Sequence, residues 1–165
     1  MTLRRLLLVT AAIALVLSAR TARATNPVHI TGGGQGTFGA DLDADGDIDG
    51  SHFGMGVDIL PGGRARGHFT CLMAGNKDFL GLHVMLVEGQ VEAGSANPEA
   101  GSGSFTGSGT LLIDGDRQDV MFTVAILSDG GPGVGRFQLT VIGSSGAVIA
   151  AFPPETVESG QVSIH

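Results

Sequence analysis

The chain has 165 residues, with sixteen acidic residues against nine basic ones, 28 glycines, one cysteine and neither Trp nor Tyr. Its formal net charge of −7 repels nucleic acid and anionic surfaces and argues against a nucleic-acid partner, which needs clustered Lys and Arg. A single cysteine excludes an internal disulfide, and the missing Trp and Tyr remove the rings on which sugars usually stack.

The first stretch reads as an export signal. Met1–Arg5 is short and basic, Leu6–Leu17 is apolar apart from Thr10, and Ala22-Arg23-Ala24 supplies small residues around an A-x-A site. That order of regions predicts a cleaved signal peptide over 1–24 and a single domain over 25–165. Four basic residues (Arg4, Arg5, Arg20, Arg23) leave with the signal, so five basic face sixteen acidic residues and the balance becomes −11. The apolar run is too short to span a bilayer, and no membrane insertion is expected after cleavage. The domain is expected to be secreted or periplasmic.

From residue 28 onward, short alternating runs are separated by Gly, Pro, Asn and Asp clusters, and no amphipathic helical period appears. This spacing predicts an all-β fold, an antiparallel β-sandwich of about eight strands. Val28–Thr31 is the first expected strand, with Gly32-Gly33-Gly34 breaking it and Thr37–Gly39 resuming. Ser51–Leu60 alternates cleanly, placing Phe53, Met55, Val57 and Ile59 on one face. Pro61-Gly62-Gly63 turns the chain, and Arg64–Met73 alternates again. Pairing residues whose numbers sum to 124 sets Phe53 against Cys71, Met55 against Phe69, Val57 against Gly67 and Ile59 against Ala65. On the other face Asp58 meets Arg66 and Gly56 meets His68. A slip of one residue would turn the two apolar sets to opposite faces, so Cys71 is expected in the core as a small hydrophobe.

Leu80–Val91 is read as a central strand, Ala93–Gly103 as a surface loop and Ser104–Ile113 as a strand. Asp114-Gly115 is a turn signal. Val120–Leu127 is a strongly apolar strand, followed by a turn over 129–133 and an alternating strand over Arg136–Ile142. Ala147–Phe152 is apolar, and Pro153-Pro154 excludes a central strand at that point. Gln161–His165 is expected to close the chain as an edge strand.

The segment with the most specific chemistry is 41–50. Asp41, Asp43, Asp45, Asp47 and Asp49 alternate with other residues, and Gly46 follows the third aspartate. Asp41, Asp43, Asp45 and Gly46 match positions 1, 3, 5 and 6 of an EF-hand loop, Asp47 would offer its carbonyl at position 7 and Asp49 stands at position 9. A loop curling around a hard cation presents alternate side chains inward, which makes Ca2+ the expected cofactor and these five aspartates its expected ligands. The twelfth position is His52 rather than Glu, and no flanking helices are expected. A further carboxylate must come from elsewhere, with Asp58, Asp78, Asp114 and Asp116 as candidates. Affinity is expected in the range of extracellular modules, on the order of 10⁻⁴ to 10⁻³ M.

Other motifs are weaker. Gly34-Gln35-Gly36-Thr37-Phe38-Gly39 fits a dinucleotide fingerprint, but no helix is expected after it. His52 and His68 could approach across the hairpin with Asp58 on the same face, an arrangement suited to a transition metal. Glu88, Glu92, Glu99, Glu155 and Glu158 read as surface charge, and no nucleophile–base grouping is legible. No catalytic residues and no enzymatic activity are expected.

Several pieces together resemble the exported bacterial modules called post-COAP-1 domains. They are Gly32-Gly33-Gly34, the strand 122–126, the turn 129–133, Phe137-Gln138-Leu139 and the ending Ser159–Ile164. Arg136 and the Asp-rich loop depart from that pattern. The resemblance implies a β-sandwich-like module on exported proteins and no catalytic residues. The expected role is structural or adhesive, with a calcium-stabilised loop and a cell-surface or extracellular protein or glycan as partner. The alternative is a carbohydrate-binding or hydrolytic secreted module with calcium beside its ligand groove.

Overall fold

The computed structural model describes residues 26–41, 49–74 and 84–165. They form one antiparallel sheet of nine strands. These are β1 (Val28–Thr37), β2 (Gly50–Ile59), β3 (Ala65–Ala74), β4 (Val84–Asn97), β5 (Ser102–Ile113), β6 (Asp116–Ser128), β7 (Arg136–Gly143), β8 (Val148–Ala151) and β9 (Glu155–Ile164). Spatial order runs β6-β5-β4-β3-β2-β1-β9-β7-β8, and β6 also pairs with β7. The sheet therefore closes on itself as a barrel. What a sandwich would supply as two facing layers is supplied here by opposite walls of one sheet.

Nine strands make eight staves. β7 pairs along its first two residues with β9 (Arg136 with Thr156, Phe137 with Glu155), and further along with β8 (Thr140 with Ala151, Ile142 with Val148). β8 and β9 are thus two pieces of a single stave, interrupted at Pro153-Pro154, where two residues without backbone N–H groups cannot continue a ladder. The residues between β6 and β7 help to complete this seam. Gly130 exchanges two backbone hydrogen bonds with Val162 (2.7 and 2.9 Å), and Gly133 and Gly135 bond to either side of Val157. What reads in sequence as a plain turn is also a pairing partner for β9.

The β2–β3 hairpin has the register expected from its alternation, with Phe53 opposite Cys71, Met55 opposite Phe69, Asp58 opposite Arg66 and Gly56 opposite His68. Three other expectations are corrected. The glycines at 32–34 do not break β1, which runs through them paired with both β2 and β9. Gly34 has a φ of 145° and lies so close to Ser159 that a side chain there would collide with backbone, so glycine is what lets these two strands approach. Residues 93–97 are the end of β4 rather than a loop, with Ala93–Asn97 paired to Ser102–Thr106. The connection is only a short 3-10 turn, Pro98–Ala100, capped by the Asn97 side chain. Gln161–His165 is no edge, because β9 is held by β1 on one side and by the 130–137 segment on the other. Of the expected strand over 80–91, residues 80–83 lie outside the described residues.

Alternate residues of every stave point inward and form one continuous core. Phe69, Phe105, Phe122 and Phe137 are each no more than 1% exposed. An eight-stranded barrel is narrow, so large inward residues need small ones opposite. Phe122 shows how this is met. A Cβ added at Gly89 would lie 2.8 Å from its ring, and one at Gly107 would lie 2.6 Å from it. Phe69 then packs against Phe122 and edge-on against Phe105, with centroids 5.5 and 5.8 Å apart.

Candidate functional site

With strands running alternately up and down, the connections β1–β2, β3–β4, β5–β6 and β7–β8 fall at one end of the barrel. The Asp-rich segment is the first of these. Both of its ends are described. The Phe38 N–H donates to the Asp49 carbonyl at 2.8 Å, which extends the β1–β2 ladder by one rung and holds the two ends of the segment together at the mouth of the barrel. Asp41 is exposed at the start, whereas Asp49 is only 2% exposed at the end. Asp43, Asp45 and Asp47 lie outside the described residues. His52, at the twelfth position, sits in β2 with its side chain exposed on the outer wall and Leu72 opposite.

The candidate supplementary carboxylates can now be placed. Asp58 is excluded by distance, since it lies about 25 Å along β2 from Gly50 at the usual rise per residue. It is also engaged by His29 (2.7 Å) and Arg66 (3.0 Å). Asp114 and Asp116 are at the correct end, on the hairpin across the mouth. Asp114 already accepts the Val84 N–H at 3.0 Å through Oδ1 and returns its own N–H to the Val84 carbonyl. Asp78 lies outside the described residues. Among the described residues no three His, Cys, Asp or Glu side chains gather as a metal-binding group.

Just inside this mouth, between the end of β1 and the start of β2, lies a buried polar cluster. Glu155, expected to be surface charge, is 1% exposed and points into the barrel. Ser51 donates to its Oε2 at 2.6 Å, and its Oε1 is buried with no hydrogen-bond partner among the described residues. Gly36 makes room for this carboxyl, because a Cβ there would lie 2.5 Å from Oε2 and 3.1 Å from the Phe137 ring. Desolvation disfavours the charged form and pushes the Glu155 carboxyl up to about 7, while the Ser51 hydrogen bonds pull the other way. Nearby Cys71 is fully buried, and burial together with the charge of Glu155 pushes its thiol up to about 12. Cys71 is thus a core residue, as its place in the alternation predicts. A signal for Glu155 was present in the sequence. It stands two residues before inward-facing Val157 and directly after a proline pair, so strand alternation turns it toward the core.

The proposed His52–His68 pairing does not form, because His52 is opposite Leu72 and His68 is opposite Gly56. Asp58 instead joins His29 and Arg66 on the outer wall, near the other end of the barrel. The neighbouring hydrogen bonds, His29 first and Arg66 second, hold its carboxyl below the usual carboxylate range. The remaining acids Glu88, Glu92, Glu99 and Glu158 are exposed as expected. Glu88 shares an outer-wall depression of about 380 Å³ with His68, Thr70 and Thr110, where Arg117 binds it at 3.1 Å. The seven described phenylalanines are all buried, so none forms an exposed platform. No helix among the described residues is long and apolar enough to cross a membrane.

Fold and site together define a closed, eight-stave antiparallel barrel with the two ends of the acidic β1–β2 connection at one mouth and a buried acid, Glu155, just inside it. Comparison with protein-family models, curated proteins and solved structures returned no match for this chain.

Proposed function

We propose that the protein is an exported structural or adhesive β module, without catalytic activity, whose 41–49 loop is ordered by Ca2+ at the mouth of the barrel. The supporting observation is the clamp between Phe38 and Asp49 at 2.8 Å. It brings Asp41 and Asp49, the two ends of the acidic segment, to one mouth of the barrel, and like charges this close in sequence repel unless a cation offsets them. The loop offers oxygen ligands only, the preference of a hard divalent cation. The signal-like segment 1–24 and the acid-rich composition support a secreted or periplasmic location and a surface protein or glycan as partner. The resemblance to post-COAP-1 domains points the same way.

The test is thermal unfolding of the signal-free protein in 10 mM Ca2+ and in chelator, beside an Asp43→Ala/Asp45→Ala variant. For a dissociation constant on the order of 10⁻⁴ to 10⁻³ M, mass action stabilises the native state by about 1.4 to 2.7 kcal/mol. Wild type should show a higher midpoint in Ca2+ and the variant should not. Equal responses in the two proteins would overturn the calcium reading.

A further inference from the structure

The end of the barrel away from the acidic loop carries a different pair of neighbours. β1 begins and β9 ends there, and His29 and His165 face each other across that ladder. They exchange both backbone hydrogen bonds, His29 N–H to His165 carbonyl at 2.7 Å and His165 N–H to His29 carbonyl at 3.0 Å. Their rings lie side by side, with centroids 5.6 Å apart and planes inclined by 31°. His165 is exposed and His29 is partly so, with 43% of its side chain accessible.

On the opposite flank of His29, Asp58 Oδ1 lies 2.7 Å from Nδ1. A carboxylate at that distance accepts a proton from Nδ1 and leaves the lone pair of the neutral ring on Nε2. Arg66 binds the other oxygen of Asp58 at 3.0 Å, which fixes the carboxylate and keeps it ionised. Carboxylates orient metal-binding histidines in this way, by fixing both tautomer and ring direction.

The spacing can be compared with what a shared ion requires. A metal bound about 2.0–2.1 Å from an imidazole nitrogen lies about 3.2 Å from the ring centre. Two rings meeting at about 90–110° around one ion then have centres about 4.5–5.2 Å apart. The observed 5.6 Å exceeds that range by less than an ångström, within reach of side-chain rotation on a fixed backbone.

We propose that His29 and His165 form a surface site for a borderline divalent transition-metal ion of the zinc and copper class, with Asp58 as the positioning carboxylate for His29. Water completes the coordination sphere, and the acidic chain attracts the cation. Imidazole selects this class over Ca2+, so the site is chemically distinct from the acidic loop at the far mouth and does not depend on it.

The experiment uses untagged, signal-free protein. Calorimetric titration with Zn2+ in 10 mM Ca2+ should show one site per chain. His29→Gln and His165→Gln should each weaken it at least tenfold, whereas His52→Gln and His68→Gln, elsewhere on the outer wall, should leave it unchanged. Asp58→Asn should weaken it about 10- to 100-fold while the electron paramagnetic resonance spectrum of bound Cu2+ still reports two imidazole nitrogens. Unfolding midpoints of the metal-free variants establish that each is folded. Zn2+ binding that survives both His29→Gln and His165→Gln, or that Ca2+ displaces, would overturn the proposal. An unchanged affinity in Asp58→Asn would overturn the positioning role.

Discussion

Glu155→Gln tests the buried acid directly. In the native state burial pushes the carboxyl up to about 7, against 4.5 as the ordinary value. The folded protein holds this proton more tightly than the unfolded chain does, so stability must fall as pH rises from about 4.5 to about 7 and then level off. A difference of about 2.5 units at 1.36 kcal/mol each gives a loss of about 3 kcal/mol across that window. Gln is isosteric, its carbonyl can accept the Ser51 hydroxyl now bound at 2.6 Å, and it does not titrate. The variant's stability relative to wild type should therefore climb by about 3 kcal/mol between pH 4.5 and pH 8, whatever constant offset the amide introduces. The assay is urea denaturation of both proteins at half-unit pH steps. Taking the difference cancels the other carboxylates, including Asp58, whose depressed titration acts in the opposite direction at lower pH. Parallel wild-type and variant curves from pH 4.5 to 8 would refute the claim that this carboxyl is buried as a proton-holding group.

Other outcomes follow from the same structure. Gly107→Ala drives a methyl into the Gln90 backbone carbonyl and to 2.6 Å from the Phe122 ring, and should destabilise by about 3 kcal/mol, the upper end of overpacking, measurable by denaturant midpoint. Asp58 should titrate below 3.8 by carbon NMR, and His29→Gln should raise it more than Arg66→Gln does, following the order of their contributions. The stability that Asp58 contributes is present above its unfolded pKa and is lost as pH falls through the depressed folded value. Cys71 should resist a disulfide reagent in the native protein and react on unfolding, because it is 0% exposed and its thiol is pushed up to about 12. Rapid labelling without unfolding would contradict its placement.

The parts of the fold legible in the sequence were those governed by neighbours in the chain. Phe53–Ile59 and Ala65–Met73 alternate around Pro61-Gly62-Gly63 with only Leu72 out of pattern, so period and turn specify the same register. β1 was harder, since glycines at 32, 33, 34 and 36 read as a break. Gly32 and Gly34 lie against the backbone of β9, more than a hundred residues away in sequence, and Gly36 against the Glu155 carboxyl and the Phe137 ring. Ala93–Asn97 looked like a loop because small and polar residues carry little strand propensity, yet Ser102–Thr106 supplies the pairing. The aspartates of 41–49 are conspicuous in the sequence, but Glu155 is not. Charge suggested surface, and only alternation with Val157 indicated the interior. Barrel closure was not legible at all, because the β1–β9 ladder joins the two sequence extremes of the sheet.

That ladder also constrains when the domain can fold. Ile30 pairs with Ile164, so the rung that closes the sheet has a sequence separation close to the full length of the domain, and loop-closure entropy opposes it until late. Before β9 is available, the growing chain is an open meander with the β9-facing side of β1 unpaired. That is the kind of edge on which other chains can pair. The glycine run along β1 then has a second physical effect. It leaves the waiting edge with few apolar side chains to hold a wrong partner, while its native partner packs against it more closely than a strand with ordinary side chains could.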